Sequence, residues 1–447
     1  MYFDFWGFKE YILKHEKGGA YAVIGNPISH SISPFLHGLL EEGSFYVAVK
    51  AEERQLEDFC DFARERLLGF NVTVPYKMDI MRYLDSVDGL AESLGSVNTV
   101  KVEGGKLIGF NTDAYGLSMA LKQCGVELAG KRAMVLGGGG AARAAVFALK
   151  EGGADISIAV RNPIKAREDF PGEKVMGLYA VETGWDIIVN CTPCGMKGQE
   201  GTSAIDEEKL SGCGFVYDAV YNPLRTKLLR AARRRGIRCS NGLDMLIFQA
   251  AQARGIWGKA PAFDLDAVKD KLAGQVMAQR LAEKGKSGIA LCGFMGSGKS
   301  HIARAFSQRF GFKLLETDAI VEEKEGMSIP LIFERFGEKY FRERESEAVR
   351  GLKPDHPSVV SLGGGAVMRE ENVAAIKGCC LLIYLDAPLE VCLERAKGVG
   401  RPLLKQGAAS VAALYEARKD IYAAACDYKV DAGRGADEVI EDIIELI

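Results

Sequence analysis

The chain has 447 residues, 48% of them hydrophobic and 26% charged, which excludes a disordered or fibrous protein and leaves room for about three domains of ordinary size. Lys plus Arg number 57 and Asp plus Glu 60, a formal net charge of -3, so nothing marks a nucleic-acid or membrane-surface binder and small-molecule partners are expected. No segment approaches the ~18 apolar residues of a membrane span, and eleven cysteines scattered through apolar runs such as Gly378-Cys379-Cys380-Leu381-Leu382 read as buried, reduced thiols of a cytoplasmic protein.

In chain order, residues 1–17 carry Tyr2, Phe3, Phe5, Trp6 and Phe8 among charges, and predict a helix docked on a domain surface or a neighbouring subunit. Residues 20–25 form an apolar run of strand length that ends in Asn26-Pro27-Ile28-Ser29-His30-Ser31-Ile32-Ser33-Pro34. Pro34 is placed to begin a helix, so the hydroxyls of Ser31 and Ser33 either cap that helix or face one polar group of a ligand. A second run, 67–75, is followed by Lys77; then come Leu94-Gly95-Ser96-Val97-Asn98-Thr99 and Gly109-Phe110-Asn111-Thr112-Asp113.

These four segments resemble the shikimate dehydrogenase family, with its motifs N-P-I-x-H-S-x-S-P, N-V-T-V-P-x-K, S-x-N-T and N-T-D. The resemblance implies that Ser31 and Ser33 bind the shikimate carboxylate, that Thr73 and Asn98 orient the ring, and that Lys77 with Asp113 forms the acid/base pair. The chemistry agrees, because hydride reduction of a ring ketone needs a proton donor at the nascent alkoxide. The alternative reading of Lys77 is a surface lysine paired with Asp113.

Residues 131–136 are a predicted strand running into Gly137-Gly138-Gly139-Gly140-Ala141-Ala142-Arg143 and then a helix. Gly137, Gly139 and Ala142 satisfy the dinucleotide fingerprint G-x-G-x-x-A, in which small residues admit the pyrophosphate close to the backbone, and Gly140 and Ala141 complete the expected cradle. After the next strand, 155–160, the place of an NAD-selective carboxylate is taken by Arg161, with Lys165 and Arg167 behind it, and cations there favour the 2′-phosphate of NADP(H). Cys191-Thr192-Pro193-Cys194 lacks a second metal-ligating pair and resembles a family loop near the cofactor. The resemblance, which covers about residues 20 to 275, further implies that Tyr221 and Gln249 contact substrate and that Met245 lines the nicotinamide side.

Residues 278–288 shift from a helical pattern to Lys, Gly and Ser, marking a boundary. Beyond it Gly293-Phe294-Met295-Gly296-Ser297-Gly298-Lys299-Ser300, between a strand and a helix, fits G-x-x-x-x-G-K-S without mismatch. Backbone N–H groups of Gly296, Ser297 and Gly298 would turn toward ATP phosphates, Lys299 would reach the outer ones and the Ser300 hydroxyl would face Mg²⁺. With Glu316-Thr317-Asp318, Gly337-Glu338-Lys339-Tyr340-Phe341-Arg342, the turn Gly363-Gly364-Gly365 and Arg401-Pro402-Leu403-Leu404, residues 288 to 447 resemble shikimate kinase. That resemblance implies Asp318 at the attacking hydroxyl, Arg342, Gly364 and Arg418 on the substrate, Arg401 as the lid residue, and Glu316, in place of the first Asp of D-x-D, near the metal with Ser300. By its neighbours alone Arg342 reads as a solvated helix charge.

The fold expected is α/β throughout: a shikimate dehydrogenase-like two-lobed unit, with a shikimate-binding lobe at 1–112 and 245–281 and a Rossmann NADP-binding lobe at 113–244, fused to a P-loop kinase domain at 282–447. The resemblances together imply a cytoplasmic bifunctional enzyme using NADP(H), ATP and Mg²⁺ on 3-dehydroshikimate and shikimate, with no nucleic-acid or membrane partner. The alternative is a shikimate or quinate dehydrogenase whose C-terminal domain only senses ATP.

Overall fold

The computed structural model describes residues 1–15, 19–396 and 408–447. Its compact units are Met1–Leu272 and Ala273–Ile447. Among the described residues no helix is long and apolar enough to cross a membrane.

The first unit holds two sheets. One is built from β1 (Tyr2–Asp4), β2 (Ala20–Gly25), β3 (Tyr46–Lys50), β4 (Leu67–Val72), β5 (Ser86–Val87), β6 (Thr99–Glu103) and β7 (Lys106–Phe110), in the order β1-β3-β2-β4-β6-β7-β5. β2 is buried at every position because both faces of the sheet are covered, which is why it reads as an unbroken apolar run. Its side chains alternate as strand geometry requires. Ala20, Ala22 and Ile24 join the core formed with the helices Phe5–His15 and Leu56–Arg66, whereas Tyr21 and Val23 pack with Ala253 and Trp257 of the opposite layer.

The N-terminal segment forms the expected helix, Phe5–His15, and it docks on its own domain. Phe5, Phe8 and Ile12 recur at helical spacing and are buried, with Phe5 meeting Phe59 edge-on at 5.9 Å and Phe8 meeting Phe62 at 5.9 Å. Ahead of the helix, β1 adds an edge strand parallel to β3, an element the sequence reading did not contain.

The second sheet is wholly parallel: β8 (Arg132–Leu136), β9 (Asp155–Val160), β10 (Lys174–Gly177), β11 (Ile187–Asn190), β12 (Phe215–Asp218) and β13 (Arg238–Ser240), ordered β10-β9-β8-β11-β12-β13. The order reverses beside β8, the position at which doubly wound sheets open a ligand crevice. The helix Leu243–Ile256 leaves this lobe and packs across the first sheet, where Trp257 Nε1 donates to the Val100 carbonyl at 3.0 Å.

The other unit has a parallel sheet of β14 (Gly288–Cys292), β15 (Lys313–Glu316), β16 (Ser358–Ser361), β17 (Cys380–Asp386) and β18 (Tyr428–Asp431), ordered β15-β16-β14-β17-β18. The helix Leu265–Glu283 runs through the division between the units, upstream of the composition shift at 278–288. Its later turns belong to the second unit: Gly274 lies against the Phe310 carbonyl with no room for a side chain, and Arg280 Nε donates to Ile447 O at 2.7 Å.

Candidate active sites

In the first unit β2 and β4 are parallel neighbours, β6 is antiparallel to β4 and β7 antiparallel to β6. The loops after β2 and β4, the residue before β6 and the residues after β7 therefore meet at one sheet edge. Ser31 and Ser33 lie on the first of these loops, Thr73 and Lys77 on the second, Asn98 before β6 and Asp113 after β7. Lys77 Nζ lies 2.6 Å from Asp113 Oδ2, and their side chains are only 18% and 7% exposed, so the pair is largely withdrawn from the open surface. Asp113 opens the helix Asp113–Gln123, where the helix end favours a carboxylate, and Asn111 Oδ1 accepts from its N–H at 3.0 Å.

Asn98 joins the parts. Its Nδ2 donates to Asp113 Oδ1 and Thr112 Oγ1, each at 2.9 Å, and reaches Gln249 Oε1 at 3.4 Å, while Thr112 N donates to Asn98 Oδ1 at 2.7 Å. Gln249 comes this close because Gly116 lets the helices Asp113–Gln123 and Leu243–Ile256 touch; a β-carbon there would stand 2.7 Å from the Met245 carbonyl and 3.0 Å from Gln249 Cβ. Thr73 closes over Gly25, where a β-carbon would lie 2.5 Å from Thr73 Cγ2. Ser31 Oγ accepts from Ser33 N at 3.3 Å, the capping alternative of the sequence reading, and both serines keep part of their surface exposed.

The glycine turn after β8 adjoins this edge. A β-carbon on Gly140 would stand 2.9 Å from Ser96 Oγ and 3.4 Å from Lys77 Cδ, and one on Gly137 would stand 3.0 Å from Cys191 O. Gly137 also has φ of 116°, open to glycine alone. The turn is thus a cradle that side chains would fill, which fits a dinucleotide pyrophosphate at the start of the helix Gly140–Glu151, with Ala141 in its first turn. Arg161, just beyond β9, and Lys165 are exposed, and Asn162 Oδ1 caps the next helix by accepting from Lys165 N at 3.3 Å. Met245 is buried, and burial pushes the Tyr221 phenol up to about 12. Burial also raises the Cys191 thiol, the opposite of an activated cysteine.

In the second unit the phosphate loop follows β14. Gly293, Gly296 and Gly298 have φ of 145°, 77° and 98°, and Ser297 Oγ is buried without a hydrogen-bond partner. Lys299 Nζ donates to the carbonyls of Gly293 and Phe294, each at 2.9 Å. An orphaned hydroxyl among left-handed glycines at a helix start fits a polyphosphate. Ser300 Oγ lies 3.2 Å from Ser361 Oγ at the end of β16, a hydroxyl pair suited to a hard cation. Glu316 is turned to Arg304, whose Nη2 donates to both its carboxylate oxygens at 3.1 Å.

The turn Gly363-Gly364-Gly365 gathers the charges. A β-carbon at Gly363 would lie 2.6 Å from Asp318 Oδ1, Gly365 has no room for one against the Arg342 guanidinium, and Gly364 O accepts from Tyr422 Oη at 2.5 Å and Arg418 Nη1 at 3.4 Å. Arg342 is 20% exposed and its Nη1 contacts Glu345 Oε2 at 2.7 Å, which corrects the solvated-charge reading drawn from its neighbours. Glu345 itself is 2% exposed; burial raises its carboxyl against the pull of Arg342. Glu345 is one of those charged neighbours, and its spacing of three from Arg342 places both on one helix face. Thr112 and Ser361 were missed in the sequence, the first despite standing inside N-T-D. Arg401 lies outside the described residues.

Fold and sites define the class: a two-lobed dinucleotide-dependent α/β unit joined to a P-loop phosphotransferase-type unit. The family profile described as shikimate dehydrogenase substrate binding domain matches residues 23–100, and that described as shikimate kinase matches residues 295–447. Shikimate dehydrogenase (NADP(+)) of Caldanaerobacter subterraneus subsp. tengcongensis is 39% identical over 272 residues, covering 57% of this chain and 97% of that protein. The same-named protein of Methanocaldococcus jannaschii is 39% identical over 271 residues, covering 56% and 96%. Among solved structures, the Thermus thermophilus shikimate 5-dehydrogenase in complex with NADP(H) and shikimate aligns with a TM-score of 0.53 at 35% identity, over 56% of this chain and 97% of that one. A chorismate mutase/shikimate 5-dehydrogenase fusion from Clostridium acetobutylicum gives 0.56 at 33%, over 58% and 99%. The chain belongs to the shikimate dehydrogenase family and carries a C-terminal shikimate kinase domain.

Proposed function

We propose that the chain catalyses two consecutive steps on one molecule, reducing 3-dehydroshikimate to shikimate and then phosphorylating shikimate to shikimate 3-phosphate. Gly137, Gly139, Gly140 and Ala141 would hold the NADP(H) pyrophosphate, with Arg161 and Lys165 at the 2′-phosphate and Met245 beside the nicotinamide. Gly296, Ser297, Gly298 and Lys299 would hold ATP, and Ser300 the Mg²⁺, with Glu316 available to a metal-bound water once it leaves Arg304. The bound cofactors supply a hydride to one site and a phosphoryl group to the other.

The protein's own part in the reduction is proton delivery and aim. Lys77 donates a proton to the ring oxygen, and Asp113 holds the ammonium in place. Asn98, Thr73, Tyr221 and Gln249 fix the ring, and Ser31 and Ser33 exchange their internal cap for the substrate carboxylate. In the transfer, Asp318 orients the ring hydroxyl and accepts its proton, Arg342 and Arg418 bind the carboxylate, the Gly364 backbone positions the ring, and Arg401 balances charge on the moving phosphoryl group.

One observation carries the two-step reading over an ATP-sensing one. The pair of half-buried Arg342 and buried Glu345 lies against the same glycine turn as Asp318 and Arg418, and a β-carbon at Gly364 would stand 3.9 Å from Gly293 O of the phosphate loop. A nucleotide sensor has no use for acceptor-side charges beside its phosphates. The test is one assay with 3-dehydroshikimate and NADPH, run with and without ATP. Shikimate should accumulate without ATP and its phosphoester appear with it, and Asp318→Asn should slow formation of the second product alone, by ~10²-fold; ADP release with no phosphoester would establish the sensor instead.

A further inference from the structure

We propose that Cys379 and Cys380 form a peroxide-oxidisable dithiol at the base of the kinase sheet, a modification site that closes to a disulfide between neighbouring residues. Consecutive strand residues point to opposite faces. Here Cys379 ends the helix Glu370–Cys379 and Cys380 opens β17, and this junction brings their sulfurs to 3.8 Å. Cys379 is partly exposed and Cys380 fully buried, the arrangement of an accessible attacking thiol with a resolving partner behind it. No group of three His, Cys, Asp or Glu able to hold a metal occurs among the described residues, so the pair is not part of such a set.

The surroundings favour a thiolate at the outer sulfur. Hydrogen bonding from Cys380 holds Cys379 down to about 7 against the opposing effect of burial, and the Lys286 ammonium adds to the lowering. Burial instead raises Cys60, Cys213, Cys292 and Cys392. In the first step the Cys379 thiolate attacks one oxygen of hydrogen peroxide; the S–O bond forms as the O–O bond breaks, and hydroxide leaves. In the second the Cys380 sulfur attacks the Cys379 sulfenic sulfur, the S–S bond forms as S–O breaks, and the departing hydroxyl takes the Cys380 proton as water. Two thiols lose two electrons and one peroxide becomes two waters.

The backbone gives the modification a consequence. Adjacent Cα atoms stand ~3.8 Å apart across a trans peptide, below the ~4.4 Å at which ordinary disulfides begin, so closure twists the bond between 379 and 380. The Ser287 N–H donates to Cys379 O at 2.7 Å and Gly288 pairs with Cys380, so the twist falls on the first rung between β17 and β14. β14 leads into the phosphate loop and has little slack there, since Gly288 has no room for a side chain against Ser358 O. A strained disulfide of this kind is readily reduced, which makes the modification reversible.

The test uses the full chain titrated with hydrogen peroxide, alkylation of remaining thiols, and peptide mass spectrometry. The peptide holding 379 and 380 should lose two hydrogens before Cys194 or Cys426 reacts, and dithiothreitol should restore it. Kinase activity should fall and recover in step while dehydrogenase activity holds, and Cys379→Ser or Cys380→Ser should remove the response. Over-oxidation of Cys379 to sulfinic acid, a Cys379 still alkylatable after Cys194 has reacted, or a two-hydrogen loss that persists in Cys380→Ser would each overturn the proposal. The wild-type peptide map decides the matter even where a serine variant fails to fold.

Discussion

The two sites each set a cation against a buried carboxylate, but they hold the pair differently. In the dehydrogenase unit Lys77 and Asp113 are pinned at a sheet edge by short side chains, with Asn98 bridging Asp113 to Thr112 and Gln249. In the kinase unit Arg342 and Glu345 stand on a helix and Arg418 on another, all leaning on a turn too tight for side chains. On the proposed roles the contrast follows from the chemistry: protonating one oxygen needs one atom in one place, whereas phosphoryl transfer needs charge spread around an anion. Short amides suit the first and long guanidinium forks the second.

The largest effect that would test this contrast is at Lys77. Lys77→Met should lower the dehydrogenase kcat by ~10³-fold, within the range of general acid loss, with a smaller change in KM and kinase turnover unaltered. A fall in both activities would break the picture of two independently held sites. Next in size is Phe8→Ala, which removes a ring buried against Phe62 and should cost about 3 kcal/mol of stability, read as an earlier unfolding transition of the dehydrogenase unit alone. An unchanged transition would mean that the N-terminal strand and helix add nothing to that core.

What could be read from the chain divides along similar lines. Loops such as 26–34, 73–77 and 111–113 announce themselves because proline, glycine and small polar residues bound apolar runs, and the structure brings Lys77 of the second and Asp113 of the third together. The strand β1 was not legible: three residues carry no usable alternation, and their pairing depends on a β3 edge more than forty residues away. Nor was the change of unit within the helix Leu265–Glu283, since a helix that serves two cores keeps one continuous pattern. Glu345 was hidden by company, because Glu343 and Arg344 beside it make a charged run that looks solvated in sequence, while only a helix seen end-on separates its buried member.

That buried member sharpens the comparison further. Asp318→Asn should reduce phosphorylation kcat by ~10²-fold through loss of the proton acceptor. Glu345→Gln touches no reacting group, and by loosening the Arg342 fork it should raise the KM for shikimate ~10-fold, about 1.4 kcal/mol, with a smaller effect on kcat. The reverse split would place Glu345 in the chemical step.

The smallest effect concerns the cofactor, where neither pinning nor burial operates. Arg161 and Lys165 are exposed, so solvent and salt screen whatever charge they meet. A guanidinium in that setting can still discriminate, because the 2′-phosphate is the difference between NADP and NAD and nothing else in the cradle of Gly137 to Ala141 distinguishes them. Arg161→Ala should therefore raise the KM for NADP(H) by up to ~10-fold and leave that for NAD(H) unchanged, with the penalty shrinking as ionic strength rises. An equal loss toward both cofactors would mean that Arg161 supports the end of β9 and the capped helix after it, and that selectivity resides elsewhere in the lobe.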